Sequence, residues 1–304
     1  MISEDLYRES FKRNLGLVSE TEQERLSRAR VAIAGLGGVG GIHLATLARI
    51  GVGRFSIADL DTFEAANLNR QYGATMETMG RSKVEVMASA VRSINPGADV
   101  AVFPEGVHEG NIDAFLEGAD LVIDGIDFFS VDARRLLFNR ARQKGVWAVT
   151  SGPIGFGATL QVFSPEGMGF DEYFGINDGM SYIEKMVAFT VGLTPWPLHL
   201  KYMDLSKVNL ATGTGPSFAS ACNLCASLVA TAAIDILLKR RPIKSVPHYT
   251  QFDPYRGVYR KGYLALGGRN PLQALKRRIL SKRIRPIIES MERMEALADT
   301  KKRP

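Results

Sequence analysis

The chain has 304 residues, 45% of them hydrophobic and 23% charged, a globular composition that excludes disordered and collagen-like classes. Two cysteines exclude a disulfide framework and point to a reduced, cytoplasmic setting. The net charge of +6 is uneven: residues 269–304 carry eleven Lys/Arg and four Asp/Glu, leaving 27 and 28 elsewhere, so only an appendage is basic enough to suit RNA or an anionic surface.

In chain order, Met1 to Leu26 is charged throughout and lacks the apolar core of a signal peptide. Ser19 and Glu22 have the spacing of a capping box that opens a short helix. Arg30 to Gly35 is an apolar run too short for a helix and reads as a buried parallel strand. Helix follows from Gly38 to Gly51, then strand from Arg54 to Ala58. Ser82 to Ile94 has helical spacing and stops at Asn95-Pro96-Gly97. Further strands are expected at Val100–Phe103, Leu121–Asp124 and Val146–Thr150, with helices near Ile112–Leu116 and over Ser130–Lys144.

This alternation predicts an α/β fold, a Rossmann-like doubly wound and mostly parallel sheet. Ala158 to Phe163 alternates like an antiparallel extension. Ser164 to Gly215 reads as irregular, rich in Gly, Pro and aromatics, a connection long enough to cross the sheet or cover a site. Pro216 to Leu238 is one long apolar helix dense in small residues. Its Asn223, Thr231 and Asp235 favour a core or subunit interface over a membrane span. A basic amphipathic helical tail runs from Pro271 to Leu297, broken at Pro286. The units are expected to be an N-terminal helical arm (1–29), a nucleotide-binding domain (30–163) and a crossover segment (164–215). A helix with C-terminal strands (216–268) and the tail (269–304) complete the chain.

Chemistry begins at Gly35-Leu36-Gly37-Gly38-Val39-Gly40, a G-x-G-x-x-G between strand and helix. Its glycines let backbone approach a phosphate, and the helix N-terminus offers free N–H groups. Asp59, at the end of the next strand, is placed to accept bonds from ribose hydroxyls. A dinucleotide oxidoreductase would share those features. Asn67-Leu68-Asn69-Arg70-Gln71 and Gly80-Arg81-Ser82-Lys83 tip the balance, because a triphosphate needs Arg and Lys beside the helix N-terminus. Asp124 and Asp127 lie at the carboxyl end of a parallel strand, where a carboxylate can hold Mg²⁺. The constellation reads as ATP plus magnesium.

These residues together resemble the ubiquitin-activating-enzyme superfamily, and within it the bacterial adenylyltransferases of thiamine and molybdopterin synthesis (the ThiF/MoeB/HesA type). The resemblance covers about residues 6–163 and resumes over 215–238. It implies a homodimer that adenylates the C-terminal carboxylate of a small ubiquitin-like or sulfur-carrier protein or peptide. By the same resemblance, Asp59 contacts ribose; Asn67, Arg70 and Lys83 contact phosphates; Gln71 belongs to the motif; Asp127 holds magnesium; and Arg13 reaches the partner subunit's ATP site. Departures are Phe128, where the family commonly has Asn, and the zinc site. Cys222 and Cys225 form one C-x-x-C with no second pair, so no structural zinc is expected. No cysteine lies in Ser164 to Gly215, so no thioester is expected there. His43, His108, His199 and His248 lack metal spacing, and Trp196 to Tyr202 either packs or lines a groove. Alternatives are ATP-dependent dehydration of a tRNA nucleoside on the same fold, a NAD(P)-dependent oxidoreductase, and a nucleotide-binding protein without turnover.

Overall fold

The computed structural model describes residues 4–209 and 213–283. Two helices, α1 (Glu4–Phe11) and α2 (Glu20–Arg28), form the arm, and α2 opens on the expected capping box: Ser19 Oγ accepts from Glu22 N, and Glu22 from Ser19 N. Then follow β1 (Arg30–Ala34), α3 (Gly40–Arg49), β2 (Arg54–Ala58), α4 (Lys83–Ile94), β3 (Asp99–Phe103) and α5 (Ile112–Phe115). Next come β4 (Leu121–Asp124), α6 (Val131–Gln143), β5 (Trp147–Thr150), β6 (Pro153–Ile154) and β7 (Gly157–Phe163). The described chain closes with α7 (Phe170–Phe174), α8 (Tyr182–Leu193), α9 (Ala219–Leu238), β8 (His248–Asp253), β9 (Val258–Tyr263) and helical residues 271–283. The expected break at Pro286 lies outside the described residues.

The sheet runs β3-β2-β1-β4-β5-β7-β8-β9, with β6 on β7. Its first five strands pair in parallel and the rest antiparallel. Chain order reverses between β1 and β4, whose carboxyl ends therefore flank the crevice where such sheets bind ligands.

Alternation along each strand sorts the two core layers. Val31 and Ile33 of β1 face α3, α4 and α9 together with Phe55, Ile57, Leu121 and Ile123. Ala32 and Ala34 face the opposite layer, where Phe138, Phe163, Phe170, Phe174 and Phe189 gather. Alanines on that face leave room for the rings, whose centroids sit 4.6–6.3 Å apart, the spacing of favourable aromatic contact.

Most of those rings come from 164–215, so the expectation of an irregular connection is corrected. This segment holds α7 and α8. A capping box of Ser181 and Glu184 opens α8, whose buried residues surround its axis. A helix apolar on nearly all sides shows no amphipathic period, which hid it in the sequence. The long apolar helix α9 passes a length-and-composition test for a membrane span, yet it packs on α3 and β7 and buries both cysteines. His43 is likewise buried, and burial lowers its pKa to about 3, leaving it neutral.

Candidate nucleotide site

Three glycines close the crevice. Gly35 has φ +85°, a conformation that side chains avoid, and a Cβ there would strike the Gly125 carbonyl. A Cβ on Gly40 would strike the Gly35 carbonyl, and one on Gly125 would strike it too. Gly35 N donates to Ala58 O and Gly125 N to Ala34 O, both at 2.7 Å, so the loops after β1 and β4 lie backbone against backbone. Gly37 and Gly38 differ. A Cβ on Gly37 would stand 3.7 Å from Gln71 Nε2, and one on Gly38 3.6 Å from Arg70 and 3.2 Å from Cys222 Sγ.

Arg70 therefore lies over Gly38, steadied by Ala66 O and Asn69 Oδ1, each at 2.9 Å. Gln71 is buried beside Gly37, and its Oε1 has no hydrogen-bond partner among the described residues. Leaving a buried polar atom unpaired costs about 1–3 kcal/mol, which marks this edge of the loop as built for something further. Asn67 spends its Oδ1 on Glu64 N at 3.0 Å and shapes the turn that presents Arg70.

Asp59 accepts from Leu36 N at 2.6 Å and from Asp61 N at 2.9 Å. Burial raises its pKa, opposed by those N–H groups and by the charge of Lys83. Lys83 is buried and pairs with Asp61 at 2.9 Å, which brings it to the Asp59 end of the site.

Across the switch point, Asp124 is fully enclosed. Its Oδ2 accepts from Arg134 Nε and from Thr150 Oγ1, both at 2.7 Å, and its Oδ1 from Ile126 N at 3.1 Å. Arg134 Nη2 then holds Ile126 O at 2.6 Å and Asp127 O at 3.2 Å. Asp124 thus braces the loop, while Asp127 stays exposed at its tip with Oδ1 on Phe129 N at 2.9 Å. Phe128 turns inward, 5.5 Å from the Phe189 ring, so α8 clamps the same loop. The sequence reading missed Arg134 and Thr150, whose partners lie 10 and 26 residues away with no motif to flag them.

Cys222 was also missed as a neighbour of the glycine loop. The first turns of α9 close the site's edge, and Asn69 Nδ2 donates to Ser217 O at 3.0 Å. Burial raises the Cys222 thiol pKa, against Ser217 and the charge of Arg70. Within Trp196 to Tyr202 it is Tyr202 that packs: its hydroxyl donates to Asp253 Oδ2 and accepts from Phe156 N, and its ring stacks on Phe156, whereas Trp196 and Leu200 stay partly exposed.

Arg13 stands apart. Exposed in the turn after α1, it sits where Asn14 Nδ2 reaches Ile50 O at 3.2 Å, at the end of α3 opposite the glycine loop. Ten residues of helix, about 15 Å, separate the two ends.

A Rossmann-like fold with a glycine loop at the sheet's switch point is the class that this architecture defines. The chain belongs to the ThiF family, whose pattern matches residues 11–266. It is 33% identical over 156 residues to the tRNA threonylcarbamoyladenosine dehydratase of Escherichia coli K12, 51% of this chain and 58% of that one. It is 37% identical over 140 residues to the sulfur carrier protein adenylyltransferase of Thermus thermophilus, covering 46% and 48%. The chain thus spans about half the length of these relatives. In three dimensions it resembles the E. coli dehydratase (TM-score 0.59, 22% identity, 79% of this chain and 98% of that one). It also resembles E. coli MccB solved with ATP (TM-score 0.59, 20% identity, 82% and 66%), and both likenesses show the fold.

Proposed function

We propose that this protein is a cytoplasmic, ATP- and magnesium-dependent adenylyltransferase acting on a carboxylate of a small sulfur-carrier or ubiquitin-like protein or of a peptide. One observation carries the reading: at the switch point, the unpaired Gln71 Oε1 and the Arg70 guanidinium border a glycine loop, with the exposed Asp127 on the neighbouring strand end. Loop N–H groups and the α3 N-terminus favour phosphate oxygens. Asp59 suits the ribose, and Asn67, Arg70, Gln71 and Lys83 border the phosphates. Asp127 has the donor chemistry to hold magnesium, which when bound neutralises charge on the phosphate oxygens. The substrate carboxylate attacks the α-phosphorus, pyrophosphate leaves, and an acyl adenylate results. These side chains act by positioning and charge stabilisation.

Arg13 has no role in its own chain's site, and in a homodimer it is free to serve the partner's. With no cysteine between Ser164 and Gly215, the adenylate passes to an external thiol, sulfur donor or amine.

Similarity to the E. coli dehydratase supports a second reading, ATP-dependent dehydration of a tRNA nucleoside. Dehydration also needs an oxygen made into a leaving group, and adenylation would serve it. Carboxylate-dependent exchange of labelled pyrophosphate into ATP tests the first reading. Exchange is expected in the wild type and lost by at least about a hundredfold in Asp127→Ala. ATP hydrolysis that needs tRNA, without exchange on protein carboxylates, would select the second. NAD(P) binding with no exchange would restore the oxidoreductase alternative, and ATP held without any product would make the chain a nucleotide-binding protein.

A further inference from the structure

From Pro254 to Arg283 the chain carries nine Lys/Arg and no Asp/Glu. Residues 271–283 within this run are helical, and the helix is fixed on the body. Gln273 is buried, Lys276 Nζ donates to Pro195 O at 2.6 Å, and Arg277 Nη1 reaches Phe174 O at 3.4 Å. Its outward face is therefore set by these anchors, and that face is apolar. Leu272, Leu275 and Ile279 are 67%, 54% and 47% exposed. At about 100° per residue the three fall within an arc of about 60°, with Arg278 and Lys282 along one edge and Arg283 along the other.

We propose that this face lies on an anionic phospholipid surface. An apolar stripe edged by cations on a surface helix seats its side chains at the headgroup boundary while the cations meet lipid phosphates. Trp196 stands beside it, 44% exposed, with Lys276 Nζ 5.8 Å from its ring centroid and Arg260 at 3.6 Å. An aromatic ring edged by cations suits that depth. Other occupants fit less well. RNA would meet the cations but has no use for three aliphatic side chains. A second copy docked on the same stripe would bring cation against cation, with no carboxylate among residues 271–283 of either copy to offset them.

The test is sedimentation of the full chain with vesicles of phosphatidylcholine alone or mixed with phosphatidylglycerol. Binding is expected only with phosphatidylglycerol and should weaken as salt rises. The triple variant L272S/L275S/I279S should lose at least about tenfold in vesicle affinity with unchanged circular dichroism and unchanged pyrophosphate exchange. R278Q/K282Q should lower the dependence on phosphatidylglycerol. No binding to either vesicle overturns the proposal. So does tRNA binding that the serine variant retains while vesicle binding is absent, which assigns the face to RNA. A wild-type assembly that the serine variant dissociates, with no vesicle binding, assigns it to a second copy. Pyrophosphate exchange reads the nucleotide site separately, so failure there leaves this result standing.

Discussion

Gly37 and Gly40 belong to one motif and do different things. At Gly40 a Cβ would meet the Gly35 carbonyl, backbone against backbone, and nothing can swing aside. At Gly37 the nearest heavy atom is 3.7 Å away, an ordinary contact. Gly40→Ala should therefore destabilise the fold by at least about 2 kcal/mol. Gly37→Ala should stay within about 0.5 kcal/mol of wild type yet raise KM for ATP, because its methyl stands where the phosphate would approach. Denaturant unfolding and ATP titration of the exchange assay separate the two effects, and equal stability losses would sink the distinction. The sequence displayed the four glycines but not this division, since G-x-G-x-x-G spacing says nothing about which carbonyl each glycine faces. Gln71 shows the same limit: motif membership was legible, whereas its unpaired oxygen depends on burial created by neighbours distant in the chain.

Among elements, those from α2 to β5 and β7 were readable because each has a short apolar run or a 3.6-residue period bounded by Gly, Pro or a cap; the polar α1 and the two-residue β6 show neither. α7 and α8 were not readable: α7 is only five residues long, too short to show a period, and that of α8 vanishes where Met186 to Leu193 is buried on nearly every side. Their importance emerges at the β4–α6 loop, which Arg134 grips from within and Phe189 covers, with the Arg134 guanidinium 4.4 Å from that ring. Asp124 and Arg134 are both nearly inaccessible, so removing the cation strands a buried carboxylate. Arg134→Met is expected to lose about 3–5 kcal/mol of stability. Thr150→Val, which removes one hydrogen bond to the same carboxylate, should lose about 1–2 kcal/mol. Neither residue touches the reacting groups, so at temperatures where the variants stay folded their effect should fall on kcat through a loosened Asp127. Urea midpoints and steady-state kinetics measure both, and a Thr150→Val loss as large as that of Arg134→Met would contradict this ordering.

For the whole molecule, the arm is tied to the far side of the core. The Tyr7 hydroxyl donates to Gly51 O at 2.7 Å, and Arg240 grips both oxygens of Glu22 at 2.7 Å. That pair holds the Glu22 carboxyl down to about 2. Arg13 is thus anchored where its own glycine loop is out of reach, and the sequence could not reveal this because the arm's docking point is tertiary. If a homodimer brings it to the partner's site, Arg13→Ala and Asp127→Ala homodimers should each be inactive. Unfolding and refolding them together in equal amounts forms statistical heterodimers, half of the total. One site in each then carries both substitutions while the other carries neither. Pyrophosphate exchange should return to roughly one quarter of the wild-type rate, as two-fold symmetry requires. Were Arg13 to act within its own chain, every site in the mixture would lack one residue and no activity would return. Were Arg13 merely a surface charge, its alanine variant would be active before any mixing.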